Sequence, residues 1–219
     1  YVGPATEVVD LAGLTAIPGL IEGHGHFMGL GQSRMVIDLM DVTSWDEIVR
    51  LVGEAAAKAQ PGEWIRGRGW HQEKWTSVPQ PNVEGFPVHD ALSAASPNNP
   101  VILEHASGHA TYVNAKAMEL AGITAATKSP AGGDILKDRA GRPIGVLRET
   151  ASDLAEDALA TAMARRTPEE RAADARKVIA AAVQAALEKG VTSFQDAGES
   201  FATVDVIKQA AEQGALGIR

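Results

Sequence analysis

The C-terminal part of the sequence alternates helix and strand patterns, and this alternation restricts the possible folds more than any other feature. Thr167 and Glu170 form a capping box, Pro168 suits the first helical position, and Gly190 suits the position after the last turn. The elements predicted there are a helix over 168–189, a strand over 191–194, a helix over about 202–213 and a strand over 216–218. Consecutive strands separated by helices pair in parallel, which predicts an α/β fold with a parallel sheet.

The composition is that of a globular protein with a sizeable core. The chain has 219 residues, of which 45% are hydrophobic, a net charge of −8 and no cysteine. Without cysteine, any metal site must use His, Asp, Glu or a modified Lys. The acidic balance and the scattered basic residues argue against nucleic acid as a partner. No run reaches the roughly 20 apolar residues of a membrane span.

The segment before the alternating region has a different organisation. Residues 1–17 contain two short β-like runs, at 7–11 and 14–17, between glycine and proline breaks. The elements predicted further on are a helix that starts at Ser44, strands at 64–67 and 101–104, a helix at 114–120 and a hairpin at 132–146. A complete β/α barrel takes roughly 250 residues, so only part of one fits here. We expect a β-sandwich remnant over 1–17 and part of a barrel over 18–219, with an α+β insertion at about 42–149.

The two ends of the sequence are abrupt. The chain starts with Tyr1 and stops at Arg219, where a strand pattern has just begun. We therefore expect both ends to be truncated, with any targeting segment outside this sequence. The cellular location stays open, with the cytoplasm favoured. A partial barrel leaves unpaired strand edges, which predicts poor solubility of the isolated 219-residue chain.

His24 and His26 follow an apolar strand pattern and are separated by one glycine. On an extended strand, residues two apart face the same side, so both imidazoles can reach one cation at the roughly 2.0–2.1 Å of a zinc–nitrogen bond. Histidine pairs of this spacing also occur by chance as surface or core residues. The position at the C-terminal end of a strand favours a metal site, because β/α barrels place their chemistry there.

Five segments together resemble one family. Residues 18–27 are similar to the first-strand metal motif of the amidohydrolase superfamily. The other four segments, which resemble its amidohydrolase-3 (YtcJ-like) branch, are GRGWHQEKW at 67–75, SGHATYVN at 107–114, GRPIGVLRE at 141–149 and GVTSFQDAG at 190–198. This branch includes N-substituted formamide deformylases. Any one segment alone is a weak signal, but five in the same order are specific, and together they cover essentially the whole chain.

The resemblance implies a metal-dependent hydrolase that acts on C–N bonds other than peptide bonds, in amide or formamide substrates. It implies a metal-dependent-hydrolase (β/α) barrel with a small β-sandwich flank. His24 and His26 match the family's first two metal ligands, and the divalent ion is expected to be zinc, which activates water and polarises a carbonyl. The family's later ligands, a Lys and two His, and its catalytic Asp are expected beyond Arg219. The isolated chain should therefore bind metal weakly and show little or no turnover, because a catalytic zinc usually needs three protein ligands.

Five further residues are candidates for substrate binding. Aromatic rings with a polar tip bind small amides well, and imidazole or carboxamide groups can form a hydrogen bond with a substrate carbonyl. The candidates are Trp70, His71, Trp75, His109 and Asn114. Trp70 is followed by His71 where relatives often have Asp, so substrate contacts there can differ. For each residue a structural role, in packing or in capping a backbone group, remains an alternative.

Three more residues are possible members of the site. Arg148 and Glu149 lie at a strand end, where they can form an active-site ion pair or a scaffold salt bridge. Asp196 follows Phe194 on a predicted barrel strand, and its carboxylate can approach the metal or cap the next helix.

Three alternatives to this function stay open. A cyclic amidine deaminase of the same superfamily uses similar His-x-His ligands, but the long insertion with Trp70 and His109 disfavours it. A non-catalytic subunit, whose barrel a second polypeptide completes, is a further possibility. A pseudoenzyme that retains only the fold is the third.

Overall fold

The computed structural model describes residues 2–219. The strands are β1 (Leu20–Gly25), β2 (Ile37–Asp38), β3 (Ile65–Trp70), β4 (Asn82–Val83), β5 (Phe86–Pro87), β6 (Val101–His105), β7 (Ala110–Val113), β8 (Gly133–Lys137), β9 (Pro143–Glu149) and β10 (Val191–Asp196). The α-helices are α1 (Phe27–Ser33), α2 (Trp45–Ala56), α3 (Asp90–Ala95), α4 (Ala115–Leu120), α5 (Asp153–Ala164), α6 (Pro168–Leu187) and α7 (Phe201–Glu212). No helix within residues 2–219 is both long and apolar enough to cross a membrane.

The chain divides into two compact units. The terminal unit comprises the described residues up to Gly31 together with Ala175–Arg219, and the central unit is Gln32–Asp174.

The terminal unit contains a parallel pair of strands. β1 and β10 pair in parallel, with Leu20 opposite Val191 and Gly25 opposite Asp196. Arg219 lies along β10, because its backbone N–H donates to Thr192 and its carbonyl accepts from Phe194, which is the bonding pattern of a parallel neighbour. Side chains from the helices pack beside these strands in one cluster, whose buried residues are Phe27, Ile179, Ala182, Ala186, Ala210 and Ile218.

The central unit is built around a six-stranded mixed sheet, in the order β2-β3-β6-β7-β9-β8. β2, β3 and β6 are parallel, whereas β7, β9 and β8 continue the sheet as antiparallel neighbours. Residues alternate between the two faces, since Leu103 belongs to the cluster on one face and Ile102 to the cluster on the other. Helices α2 and α3 contribute to the first cluster, and α4 and α5 to the second. The result is a sheet between two layers of helices.

Most of the predicted elements are confirmed. The predicted helix starts are capped: Ser44 Oγ accepts from the backbone N–H of Glu47 at 3.2 Å, and Thr167 and Glu170 form the full capping box, with reciprocal bonds of 2.8 and 3.2 Å. The strands at β3, β6 and β10, the β8–β9 hairpin and helices α4, α6 and α7 lie where they were expected. The confirmed elements are those with local signals, such as caps, glycine ends and apolar periodicity.

Several predictions were wrong. Residues 2–19 form turns but no hydrogen-bonded strand, and the apolar side chains at 7–17 are exposed, with no neighbouring strand among the described residues to accept their backbone bonds. Residues 216–218 are not a regular strand either, although Arg219 pairs with β10. Helices α1 and α3 were not predicted.

Candidate functional site

His24 and His26 lie at the C-terminal end of β1. His24 belongs to the strand, and His26 is the residue between the strand and helix α1. Both side chains are exposed, and their ring centroids are 6.4 Å apart. Neither ring forms a hydrogen bond within the described residues, so the ring nitrogens of both are available as ligands.

The neighbouring strand fixes the backbone around this pair. Asp196, the last residue of β10, accepts the backbone N–H of Phe27 at 2.8 Å and that of Gly198 at 2.9 Å. A Cβ atom on Gly25 would lie 2.3 Å from the ring of Phe194, so position 25 has no room for a side chain. The backbone on both sides of His26 is thus fixed, because Gly25 lies against the ring of Phe194 and the N–H of Phe27 is bonded to Asp196.

Asp196 does not cap the next helix, which was one of the two roles that the sequence left open for it. The helix that follows it, α7, is capped by Ser200, whose hydroxyl accepts the backbone N–H of Thr203 at 3.1 Å. Asp196 instead bonds the first residue of α1, because parallel pairing of β1 and β10 brings their C-terminal ends together.

Residues 2–219 contain no group of three or more His, Asp or Glu side chains that could hold a metal ion. Of such a group, His24 and His26 could therefore supply two ligands only. Imidazole is the commonest protein ligand for zinc and suits copper, iron and nickel as well. The donor set fits a borderline divalent metal ion, provided that further ligands come from elsewhere.

A second group of polar side chains lies at one edge of the central sheet. β3 and β6 are parallel, β7 is antiparallel to β6, and β9 is antiparallel to β7, so the ends of three strands and the start of β7 meet at this edge. We call this group the polar edge, and its members are His71, Gln72, His105, His109 and Glu149. The rings of His71 and His105 are 4.5 Å apart.

His105 is the buried member of the polar edge. Its Nδ1 accepts the backbone N–H of Ser107 at 3.1 Å and lies 2.7 Å from the Ser107 hydroxyl. The proton must then sit on Nε2, which donates to Gln72 Oε1 at 3.1 Å. Burial lowers the pKa of His105, and positive charge on His71 and His109 lowers it further. Sequence reasoning did not select His105 or Gln72; the signal was a histidine directly after an apolar strand.

Three of the predicted substrate-binding residues lie in the interior of the central unit. Trp70 is 1% exposed, and its indole N–H donates to the Leu103 carbonyl at 2.8 Å. Trp75 is 8% exposed and stacks on Trp70 at 6.0 Å. Asn114 is fully buried and caps α4. Of the other two predicted residues, His71 is half-buried and His109 is exposed.

Arg148 and Glu149 do not pair with each other. Adjacent residues on a strand point to opposite faces, so their side chains diverge. Arg148 bonds Glu84 at 2.8 Å, and Glu149 Oε2 lies 3.1 Å from His109 Nδ1. The predicted ion pair at the end of β9 is replaced by one scaffold salt bridge and one carboxylate–imidazole pair.

The fold and the site together define an α/β protein that presents two histidine side chains at the C-terminal end of a parallel strand. Residues 7–219 match the model of the amidohydrolase family known as Amidohydro_3. The chain belongs to this family.

Three relatives support the assignment. The chain is 34% identical over 154 residues to the putative amidohydrolase YtcJ of Bacillus subtilis, covering 70% of this chain and 28% of the relative. It is 33% identical over 160 residues to N-substituted formamide deformylase of Arthrobacter pascens, covering 71% and 28%. It is 31% identical over 204 residues to Protein LONG AFTER FAR-RED 3 of Arabidopsis thaliana, covering 92% and 32%. The chain thus spans about three tenths of the length of the curated relatives it matches.

The fold is also shared with solved structures. An uncharacterized metal-dependent hydrolase from Pyrococcus horikoshii superposes with a TM-score of 0.62 at 21% identity. The match covers 92% of this chain and 35% of that one. A structure from Pyrococcus furiosus with the same description gives the same TM-score. The similarity supports the mixed α/β architecture described above.

Proposed function

We propose that these residues form the first part of a metal-dependent hydrolase of non-peptide C–N bonds, with amide or formamide substrates. The observation that carries the proposal is the pair of unbonded imidazoles, His24 and His26, at the C-terminal end of a parallel strand. The names of two relatives, an amidohydrolase and a formamide deformylase, support the same class of reaction. In this proposal, β1 and β10 are neighbouring strands of a β/α barrel, and residues 1–17 belong to a β-sandwich flank.

His24 and His26 would hold a divalent ion, for which zinc is the proposed identity, and further ligands would come from residues outside this sequence. When bound, such an ion lowers the pKa of a bound water and polarises the substrate carbonyl. Asp196 would fix the backbone directly after His26, because its carboxylate accepts the backbone N–H of Phe27. The catalytic acid–base residue is proposed to lie beyond Arg219.

The polar edge is proposed to contact the substrate through His71 and His109, whose rings reach solvent. Trp70, Trp75 and Asn114 would act indirectly, because each is buried inside the central unit. A small-molecule substrate is the only partner that the proposal requires.

The test uses the full-length protein. His24→Ala and His26→Ala should each lower the bound metal, measured by elemental analysis after dialysis, and reduce hydrolysis of N-butylformamide by at least about a hundredfold, because a metal ligand is lost. His89→Gln is the matched control, since it removes a histidine of the central unit that bonds only Ser93 and Asp90. Unchanged metal content and activity in both alanine variants would overturn the proposal.

A further inference from the structure

Strand β1 contains an irregularity at His24. Glu22 lies opposite Phe194 of β10, whereas Gly25, three residues further along β1, lies opposite Asp196, which is only two residues further along β10. Strand β1 therefore carries one extra residue between two paired positions, which is a β-bulge. The extra residue of a bulge is left out of the regular ladder, and bulges beside active sites re-aim side chains. His24 lies within this bulge.

The side chain of Glu22 bonds the backbone within the bulge. The backbone N–H of His24 donates to Glu22 Oε1 at 2.9 Å. A bond from a backbone N–H to an ionised carboxylate is stronger than one between neutral groups. Glu22 is half-buried, and a Cβ on Gly25 would lie 3.0 Å from Glu22 Cγ, so the Glu22 side chain lies beside the residue that separates the two histidines. The Glu22 carboxylate thus supplies a partner for a backbone group in the irregular part of the strand.

A carboxylate bonds the backbone at each end of the segment that carries the histidine pair. Glu22 accepts the N–H of His24, and Asp196 accepts the N–H of Phe27 at 2.8 Å. The four residues from His24 to Phe27 therefore have a bonded N–H at both ends. Asp196 is already part of the proposed function, whereas Glu22 is not.

The pairing of β1 with β10 does not explain a glutamate at position 22. Glutamate is depleted in β-strands, where β-branched and aromatic residues are preferred. The Glu22 side chain forms no other hydrogen bond or ion pair with the part of the chain that the structure describes. The interaction that the carboxylate adds is its bond to the backbone of His24.

We propose that Glu22 is a positioning residue that orients His24 towards the metal ion by fixing the bulge of β1. The inference rests on the proposed function, in which His24 and His26 hold the ion. Replacing a group that orients a metal ligand typically lowers the metal affinity by about ten- to a hundredfold.

The first test measures the zinc Kd of the full-length protein by competition with a chelator. Glu22→Met removes the acceptor and keeps an unbranched side chain, so Kd should rise by about tenfold or more. Glu22→Gln should bind zinc at least about fivefold more tightly than Glu22→Met, because both lack the charge and only glutamine keeps an oxygen for the N–H of His24. Glu7→Met, a change of the same charge at an exposed position of the terminal unit, is the matched control and should leave Kd unchanged.

Two results of this test would overturn the inference. Equal Kd values for the wild type and Glu22→Met would show that the bond does not orient the ligand. Equal Kd values for Glu22→Gln and Glu22→Met would assign the effect to the charge of Glu22, or to direct binding of the ion by its carboxylate. A wild type that binds zinc no more tightly than His24→Ala would instead overturn the proposed function, on which the metal-binding part of the inference depends.

The second test detects the bond in the metal-free protein, where no activity is needed. In protein labelled with [¹⁵N]histidine, the backbone amide proton of His24 is assigned by its loss in His24→Gln. Its resonance should lie downfield in the wild type and in Glu7→Met, move upfield in Glu22→Met and move less in Glu22→Gln, because only the methionine variant lacks an acceptor. An unchanged His24 resonance in Glu22→Met would overturn the positioning role, whatever the zinc affinities.

Discussion

The backbone N–H of Phe27 donates a hydrogen bond of 2.8 Å to Asp196 Oδ2, so the last residue of β10 holds the first residue of α1. The second oxygen of the same carboxylate accepts the backbone N–H of Gly198 at 2.9 Å. Asp196 thereby joins two chain segments that are far apart in sequence. His26 lies directly before one of them.

Asp196→Asn should weaken this connection. Asparagine has one side-chain oxygen, so one of the two backbone N–H groups must face an amide NH₂. We expect the free energy of unfolding to fall by about 1 kcal/mol, and the metal affinity of the full-length protein to fall with it. Urea unfolding and competition with a chelator measure the two effects. Asp205→Asn, an exposed substitution within α7, should change neither, and equal effects of both variants would contradict the prediction.

Gly31 and Gly29 in helix α1 should respond to alanine with opposite signs. A Cβ on Gly31 would lie 2.1 Å from the backbone carbonyl oxygen of Val178, whereas a Cβ on Gly29 would make only an ordinary contact of 3.4 Å with His26. Gly31→Ala should therefore lower the free energy of unfolding by about 1–3 kcal/mol through overpacking. Gly29→Ala should raise it by about 0.5–1 kcal/mol through helix propensity. Thermal and urea unfolding of both variants measure the difference, and a shared sign would count against the close approach of α1 and α6.

Asn114 should be among the least replaceable side chains of the central unit. Its Oδ1 accepts from Val101 and Ala117 at 2.9 and 3.0 Å, and its Nδ2 donates to the carbonyls of Ser96 and Asn99, both at 2.9 Å. All four hydrogen-bonding capacities of the carboxamide are thus used in a fully buried position.

Asn114→Ala removes all four bonds, and only the Asn99 carbonyl keeps a second partner, the Ser96 hydroxyl at 2.9 Å, so the free energy of unfolding should fall by about 3 kcal/mol or more. Asn98→Ala, at an exposed neighbouring position, should stay within about 0.5 kcal/mol of the wild type. Urea unfolding followed by tryptophan fluorescence measures both variants. A cost for Asn114→Ala as small as that of Asn98→Ala would show that the network is not needed for stability.

The stability of the central unit should fall as the pH is lowered from about 7 to about 5. Burial lowers the pKa of His105, and burial also lowers the pKa of His89, although Asp90 opposes that effect. Between the folded and unfolded pKa values, the unfolded chain binds more protons, so acidification favours unfolding. Burial raises the pKa of Glu156, which acts in the opposite direction at lower pH.

The urea midpoint measured against pH checks this prediction. In a variant with both His105→Gln and His89→Gln, the decrease between about pH 7 and about pH 5 should become shallower, because the two groups responsible are gone. A pH dependence identical to that of the wild type would show that other groups cause it.

Local signals in the sequence predicted much of the fold. Ser44, Thr167 and Asn114 mark helix starts because a side-chain oxygen there satisfies a backbone N–H within the next few residues. These bonds need no tertiary information. The order of the six-stranded sheet, in contrast, depends on pairings between distant segments such as β3 with β6 and β7 with β9, for which residue pattern gives no register.

The candidate site residues also fall into two groups, those recognisable from local sequence and those that depend on the pairing of distant segments. The spacing of His24 and His26 is a local property of a strand, so the pair was recognisable from the sequence. The pairing of His109 with Glu149 joins residues 40 positions apart and follows from the antiparallel register of β7 and β9. Trp70 was selected for its aromatic ring, but an irregularity at Gly69, whose φ is +105°, breaks the alternation of faces along β3 and turns that ring into the core.

The absence of space at Gly25 has an evolutionary consequence. Because a Cβ there would lie 2.3 Å from the ring of Phe194, a side chain at position 25 requires that ring to move or to be replaced by a smaller one. In homologous sequences, alanine or serine between the two histidines should occur together with a small residue at the position of Phe194. Position 25, the middle residue of the His-Gly-His motif, is therefore expected to co-vary with position 194 on the adjacent strand β10.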